Sequence, residues 1–147
     1  MPEVTEFTRA EKVALRLIAR AEQCSAGLTR KLEKRKFSAS CINAVISRLC
    51  ELNLLDDSRY AQRWLLSRLR LTRSPRRLLS SLCARGIHHD FAQAALKAVL
   101  DEETELTLLE RFAEKYAKKT SDKVKLKFLL KNEGFSLHSI NHFLESV

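Results

Sequence analysis

LTRKLEKRKF (28–37), LLSSLCARGI (78–87) and LKFLLKNEGF (126–135) are three versions of one pattern. Each has a leucine at its first position, a leucine at its fifth and a large apolar residue at its tenth: Leu28, Leu32, Phe37; Leu78, Leu82, Ile87; Leu126, Leu130, Phe135. Leucines four apart lie on one face of a helix. In two copies a glycine, Gly86 or Gly134, precedes the third apolar residue, where a helix ends in the left-handed conformation. Lys36 holds that slot in the first copy and is a weaker stop.

The register extends outward. Nine residues after the third anchor lie Ile46, Leu96 and Leu144, and upstream Leu15, Leu65 and Ala113 align. Three copies result, 9–54, 55–101 and 102–147, and each reads as three helices. They are predicted at 9–22, 25–36 and 39–52, then 57–71, 75–85 and 89–100, then 103–118, 121–132 and 137–146. Ser25, Ser74 and Ser121 are placed to cap the middle helices. Pro75 follows Ser74 at the first helical position, where its missing N–H costs nothing. Asp56 and Asp57 can cap the helix that opens the second copy, and His88 and His89 read as turn residues. Turns of two to five residues keep neighbouring helices in contact. With 3 Gly, 2 Pro and no alternating apolar pattern, strands are not expected. The fold class is all-α: tandem three-helix repeats (three copies) forming an elongated, curved array. Each unit alone has a marginal core and is stabilised by its neighbours.

The 147 residues include 27 Lys+Arg and 18 Asp+Glu, a net charge of +9. Residues 1–100 hold 19 basic and 9 acidic side chains, residues 101–147 hold 8 and 9, so the positive surface belongs to the first two copies. Such an excess suits a polyanion or an acidic protein assembly. The opening MPEVTEFTRAEK has no apolar core of a signal peptide, and no apolar run is long enough for a membrane span. The expectation is a cytoplasmic protein with no membrane partner. Cys24, Cys41, Cys50 and Cys83 lack metal-knuckle or redox spacing and are read as free, buried thiols.

Residues 59–85, RYAQRWLLSRLRLTRSPRRLLSSLCAR, contain eight arginines, no lysine and no acid. Arg59, Arg63 and Arg70 are expected on one helical face, with Tyr60, Trp64, Leu65 and Leu69 on the other in a core role. On the next helix Arg76, Arg77 and Arg85 lie away from Leu78 and Leu82, and Arg73 is a further candidate. A guanidinium fork grips phosphate or carboxylate oxygens in pairs, and eight without acids would repel one another unless a partner neutralised them. Arg68 falls on the apolar arc and is assigned a structural pair with Asp56 or Asp57, or a snorkelling stem. A second candidate cluster is Arg30, Lys31, Lys34, Arg35 and Lys36, opposite Leu28 and Leu32. A third, Lys118, Lys119, Lys123, Lys125, Lys127 and Lys131, is diluted by nearby acids and reads as a solvated face. His138 and His142 are four apart with no third metal ligand in sight. No glycine-rich phosphate loop, nucleophile elbow or paired carboxylates are found, so no catalytic residues, cofactor, metal or small-molecule substrate are expected.

ALRLIARAEQCSAGLTRKLEKRKF (14–37), AVISRLCELNLLDDSRYAQRWLLSRL (44–69), SPRRLLSSLCARGI (74–87) and LLKNEGFSLHSINHFL (129–144) together resemble the RecX family of bacterial recombination regulators. The most specific pieces are the LxELxLLDDxRYA and PRRLxxxLxxRGI segments; the third copy matches more loosely. LTRSPRR lacks the glycine and lysine common before Pro-Arg-Arg in that family, and Lys36-Phe37 replaces its usual Gly-Phe. The resemblance implies tandem three-helix repeats that bind RecA, lodge in the groove of the RecA–DNA filament and modulate recombinase, ATPase and co-protease activity, usually by inhibition. Arg59, Arg68, Arg76, Arg77 and Arg85 match its basic positions. Partners are then the RecA filament and single- or double-stranded DNA, with the chain a monomer. The alternatives are a nucleic-acid binder independent of RecA and a helical adaptor for another acidic protein.

Overall fold

The computed structural model describes residues 5–116 and 122–146. The first unit comprises α1 (Glu6–Arg20), α2 (Ser25–Lys34) and α3 (Ala39–Glu51). The second comprises α4 (Asp57–Arg68), α5 (Pro75–Ala84) and α6 (His89–Val99), and the third α7 (Glu102–Tyr116), α8 (Lys123–Asn132) and α9 (Leu137–Glu145). No strand occurs among the described residues. In each unit the third helix packs against the other two. The fold is therefore a tandem array of three-helix repeats. We place the unit boundaries near 54–55 and 101–102.

The anchors of the repeat are buried: Leu28, Leu32, Leu78, Leu82 and Leu130 are fully enclosed, with Leu126, Ile87 and Phe135 nearly so, while Phe37 is half-buried. Two expected positions shift. Leu15 is 40% exposed and Ala14 takes the buried place, because the first unit has one more residue between that site and its anchor than the other two. Ile46, Leu96 and Leu144 only flank the core. A buried position common to the three third helices comes five after the anchor, at Ile42, Ala92 and Ile140; alanine in the middle copy hid it from a search for large apolar residues. One cluster of buried side chains fills the first unit. A second runs unbroken through the second and third units and takes in Cys24 from the first.

The caps divide differently from expectation. Ser74 caps α5 and Asp56 caps α4, each accepting from the backbone three residues on. Ser25 is instead the first helical residue of α2; its N–H donates to Asp57 Oδ1 at 2.8 Å, so a carboxylate of the second unit caps a helix of the first. Ser121 lies outside the described residues, and Asp122 caps α8. Helix α4 stops at Arg68 and a single 3₁₀ turn, Leu69–Leu71, follows, so that Arg70 lies beyond the helix that carries Arg59 and Arg63. His88 is more than a turn residue, since its Nδ1 accepts from Asp90 N at the start of α6.

The units meet through their middle helices. The turn ending α8 abuts the start of α5: Arg76 N donates to Glu133 O at 3.0 Å. The turn ending α5 likewise abuts the start of α2, and a Cβ built on Gly86 would lie 2.4 Å from the Cβ of Ala26. At Gly134 it would lie 3.0 Å from Arg76 N. The negative end of one helix thus faces the positive start of the next. Gly86 (φ 93°) and Gly134 (φ 92°) are required twice over, by backbone and by space. Lys36 has the same left-handed backbone (φ 68°) but is exposed and meets no such neighbour. Gly86→Ala is therefore expected to lose about 2 kcal/mol or more in urea denaturation, from left-handed strain plus the collision. Lys36→Gly is expected to be neutral or to gain up to about 1 kcal/mol.

Candidate polyanion-binding surface at the repeat junctions

The eight arginines of 59–85 are not uncompensated, as their sequence neighbourhood suggests. Acids from the flanking units engage three of them. Glu22 Oε1 lies 3.4 Å from Arg59 Nε and Glu22 Oε2 lies 3.0 Å from Arg63 Nη1. Glu133 Oε1 accepts from Arg76 Nη2 at 3.2 Å. Such partly exposed pairs contribute about 0–1 kcal/mol each, so they orient the units more than they hold them.

Arg68 makes no pair with Asp56 or Asp57, whose carboxylates are occupied at helix starts. Its guanidinium lies over the ring of Trp64, 5.2 Å from the centroid, and its Nε is buried without a hydrogen-bond partner among the described residues. The Arg85 guanidinium lies over the same ring at 5.3 Å, and its Nη1 donates to Tyr60 Oη at 3.0 Å. Tyr60 and Trp64 do pack against the core, but only half-buried; their outer parts position arginines. A cation over indole contributes about 0.5–1 kcal/mol at an exposed site, enough to favour one orientation of Arg85.

Beside Arg85 a cleft of about 340 Å³ opens between the first and second units, with Arg30, Lys31, Lys34 and Tyr60 in its lining. Tertiary structure thus brings Arg85, at the end of the arginine-rich stretch, to Arg30 of the second cluster, 55 residues earlier in the chain. Arg30 Nη2 donates to the Arg85 carbonyl at 3.0 Å, and Lys31 Nζ donates to Gln23 Oε1 at 2.8 Å. Gln23 is itself buried and anchored to Leu17 O. None of Arg30, Lys31, Lys34 and Arg85 has a carboxylate partner among the described residues; the one acid in the lining, Glu22, is engaged by Arg59 and Arg63. Arg30, Lys31 and Arg85 are held by hydrogen bonds and have no counter-ion, an arrangement chemically suited to phosphate or carboxylate oxygens.

The remaining candidates lie elsewhere. Arg35 faces α1 in a small groove with Arg16 and Arg20, two cations that the sequence reading passed over because α1 carries acids as well. Arg70, Arg73 and Arg77 are exposed on the second unit, and the latter two border a cleft toward the third. In the third cluster Lys118 and Lys119 lie outside the described residues, and Lys123 approaches Leu144 O. His138 approaches Glu102 at 3.7 Å. Cys24 and Cys41 are buried and Cys83 half-buried, but Cys50 is exposed against the expectation for all four. No helix of the described residues is long and apolar enough to cross a membrane.

Fold and surface define a helical tandem-repeat protein whose cationic cleft is assembled where units meet. A family model described as RecX, first three-helix domain, matches residues 10–49. The regulatory protein RecX of Treponema pallidum (strain Nichols) is 36% identical over 137 residues, 92% of this chain and 75% of that protein. That of Chlorobium phaeobacteroides is 30% identical over 148 residues, 97% and 96% of the two chains. The crystal structure of RecX from Lactobacillus salivarius has the same fold, with a TM-score of 0.74 at 22% identity over 96% of each chain. The chain belongs to the RecX family of regulatory proteins.

Glu133 provides a test of the junction between the second and third units. The Ser74 hydroxyl, the Arg76 guanidinium and the nearby charge of Arg77 hold its carboxyl below the usual 4.5. A depressed carboxylate stabilises the folded state above its ordinary pKa, and that contribution is lost as pH falls through the folded value. Urea denaturation should show wild type more stable than Glu133→Gln at pH 7, with the gap closing as pH drops below 4.5.

Proposed function

We propose that this chain regulates RecA by binding the RecA–DNA filament along its groove, inhibiting filament growth and with it recombinase, ATPase and co-protease activity. The observation that carries the reading is the cleft at the first junction, where Arg30, Lys31, Lys34 and Arg85 converge without a carboxylate of their own. Family membership supplies the partner. An extended row of units suits a filament because modest contacts on successive units add through effective concentration. Neutralising four phosphates of a single strand would give a log-affinity against log-salt slope of roughly −3.

The test is the single-stranded-DNA-dependent ATPase rate of RecA with this protein titrated in. Inhibition well below one molecule per RecA is expected, and it should weaken with salt and with Arg30→Ala/Arg85→Ala. No change at several-fold excess of folded protein would sink the reading. Equal binding to bare DNA with and without RecA would favour a general nucleic-acid binder. Trp64 is the sole tryptophan and lies beneath Arg85, so its emission should change on binding an oligonucleotide. An unchanged spectrum at saturation would move the contact away from this cleft.

A further inference from the structure

The two junctions are images of each other. A step of 50 residues carries Gln23, Cys24 and Gly27 of the first unit onto Arg73, Ser74 and Arg77 of the second. A step of 48 carries Trp64, Arg68 and Arg85 onto Phe112, Tyr116 and Glu133. Gln23, Cys24, Gly27 and Arg85 line the first cleft, with Trp64 and Arg68 behind Arg85, and all six of their counterparts line the second, of about 200 Å³. Its chemistry differs from the first. Where guanidiniums lie over the indole beside the first cleft, in the second the phenol of Tyr116 leans on Phe112, with centroids 4.9 Å apart, and the Lys115 ammonium lies over the Tyr116 ring at 5.2 Å. Tyr116 is 54% exposed and Leu129 37% exposed, so an apolar wall faces solvent. Arg73 and Arg77 are exposed, and neither guanidinium donates a hydrogen bond among the described residues. Where Arg85 stands in the first cleft, the second has the carboxylate of Glu133, which the Ser74 hydroxyl and the Arg76 guanidinium already engage and whose remaining lone pairs can accept a further donor.

A carboxylate repels phosphate but accepts from an amino group on a base edge. An aromatic wall with cations beside it is the arrangement that takes a base and its phosphate from a single strand. A base pair does not fit, because its ring faces are stacked and its amino groups are engaged. We propose that this second cleft holds one unpaired nucleotide, with its phosphate on Arg73 and Arg77, its base against Tyr116 and Leu129, and its exocyclic amino group donating to Glu133. The first cleft grips backbone alone, and the second reads that the strand is single. The inference rests on the regulator reading only in taking the ligand to be nucleic acid.

The test is anisotropy of the full chain with a labelled oligodeoxycytidylate and with an abasic strand of the same length. Tyr116→Leu should bind the oligodeoxycytidylate roughly 5- to 150-fold more weakly, the range for one lost base stack, and the abasic strand as wild type does. Tyr116→Phe should match wild type on both, and Arg73→Ala/Arg77→Ala should weaken both. Wild-type affinity of Tyr116→Leu for oligodeoxycytidylate, or an equal loss on the abasic strand, would overturn the proposal. So would a Tyr116→Leu defect confined to RecA, which would assign the cleft to a protein segment. Absence of any wild-type effect on the RecA ATPase would fail the regulator reading and leave these binding results standing.

Discussion

The end-to-end contact between middle helices governs the rest of the molecule. Each puts a left-handed glycine turn against the first turn of the preceding middle helix, where an added Cβ would collide with Ala26 or crowd the backbone of Arg76. Backbone groups that a helix end leaves unpaired find partners there. Arg76 N bonds Glu133 O across one junction; across the other, Arg30 and the Cys24 thiol reach the Arg85 carbonyl. An orphaned polar group would cost about 1–3 kcal/mol if buried, more than the surface ion pairs nearby contribute. Backbone fit, not charge, therefore sets the spacing of the units, and the charged side chains take the positions it leaves.

That order explains how the arginines are used. Arg59, Arg63 and Arg76 meet acids from a neighbouring unit. Arg68 and Arg85 share Trp64, and Tyr60 holds Arg85 by its hydroxyl. Arg85 thereby stands at the cleft edge already oriented, and less conformational entropy is lost when it meets an anion. A solvated row of arginines on one helix would have the same charge without this preorganisation.

Much of the fold was legible in the residues. Leucines four apart, ending at Gly86 and Gly134, marked the middle helices, and Ser74 with Pro75 marked the start of α5. Leu15 misled because the first unit has one more residue between this site and its anchor, which puts Ala14 in the buried place. Asp57 was read as a cap for its own helix because its true partner, Ser25 N, lies thirty-two residues away in the chain. Arg68 was assigned a structural role, an acid pair or a snorkelling stem, and its seat over Trp64 was missed because nothing in the sequence says that one indole will underlie two guanidiniums.

By itself, the sequence determined the helices, the threefold repeat, the positive charge of the first two units and the family, since periodicity, caps and composition act over a few residues at a time. Tertiary structure decided which cations lack an acid. Glu22 and Glu133 lie far in sequence from the arginines they meet, and Arg30, Lys31 and Lys34 come together with Arg85 only when one middle helix abuts the next. A junction is a property of two units, and no local pattern within either one encodes it.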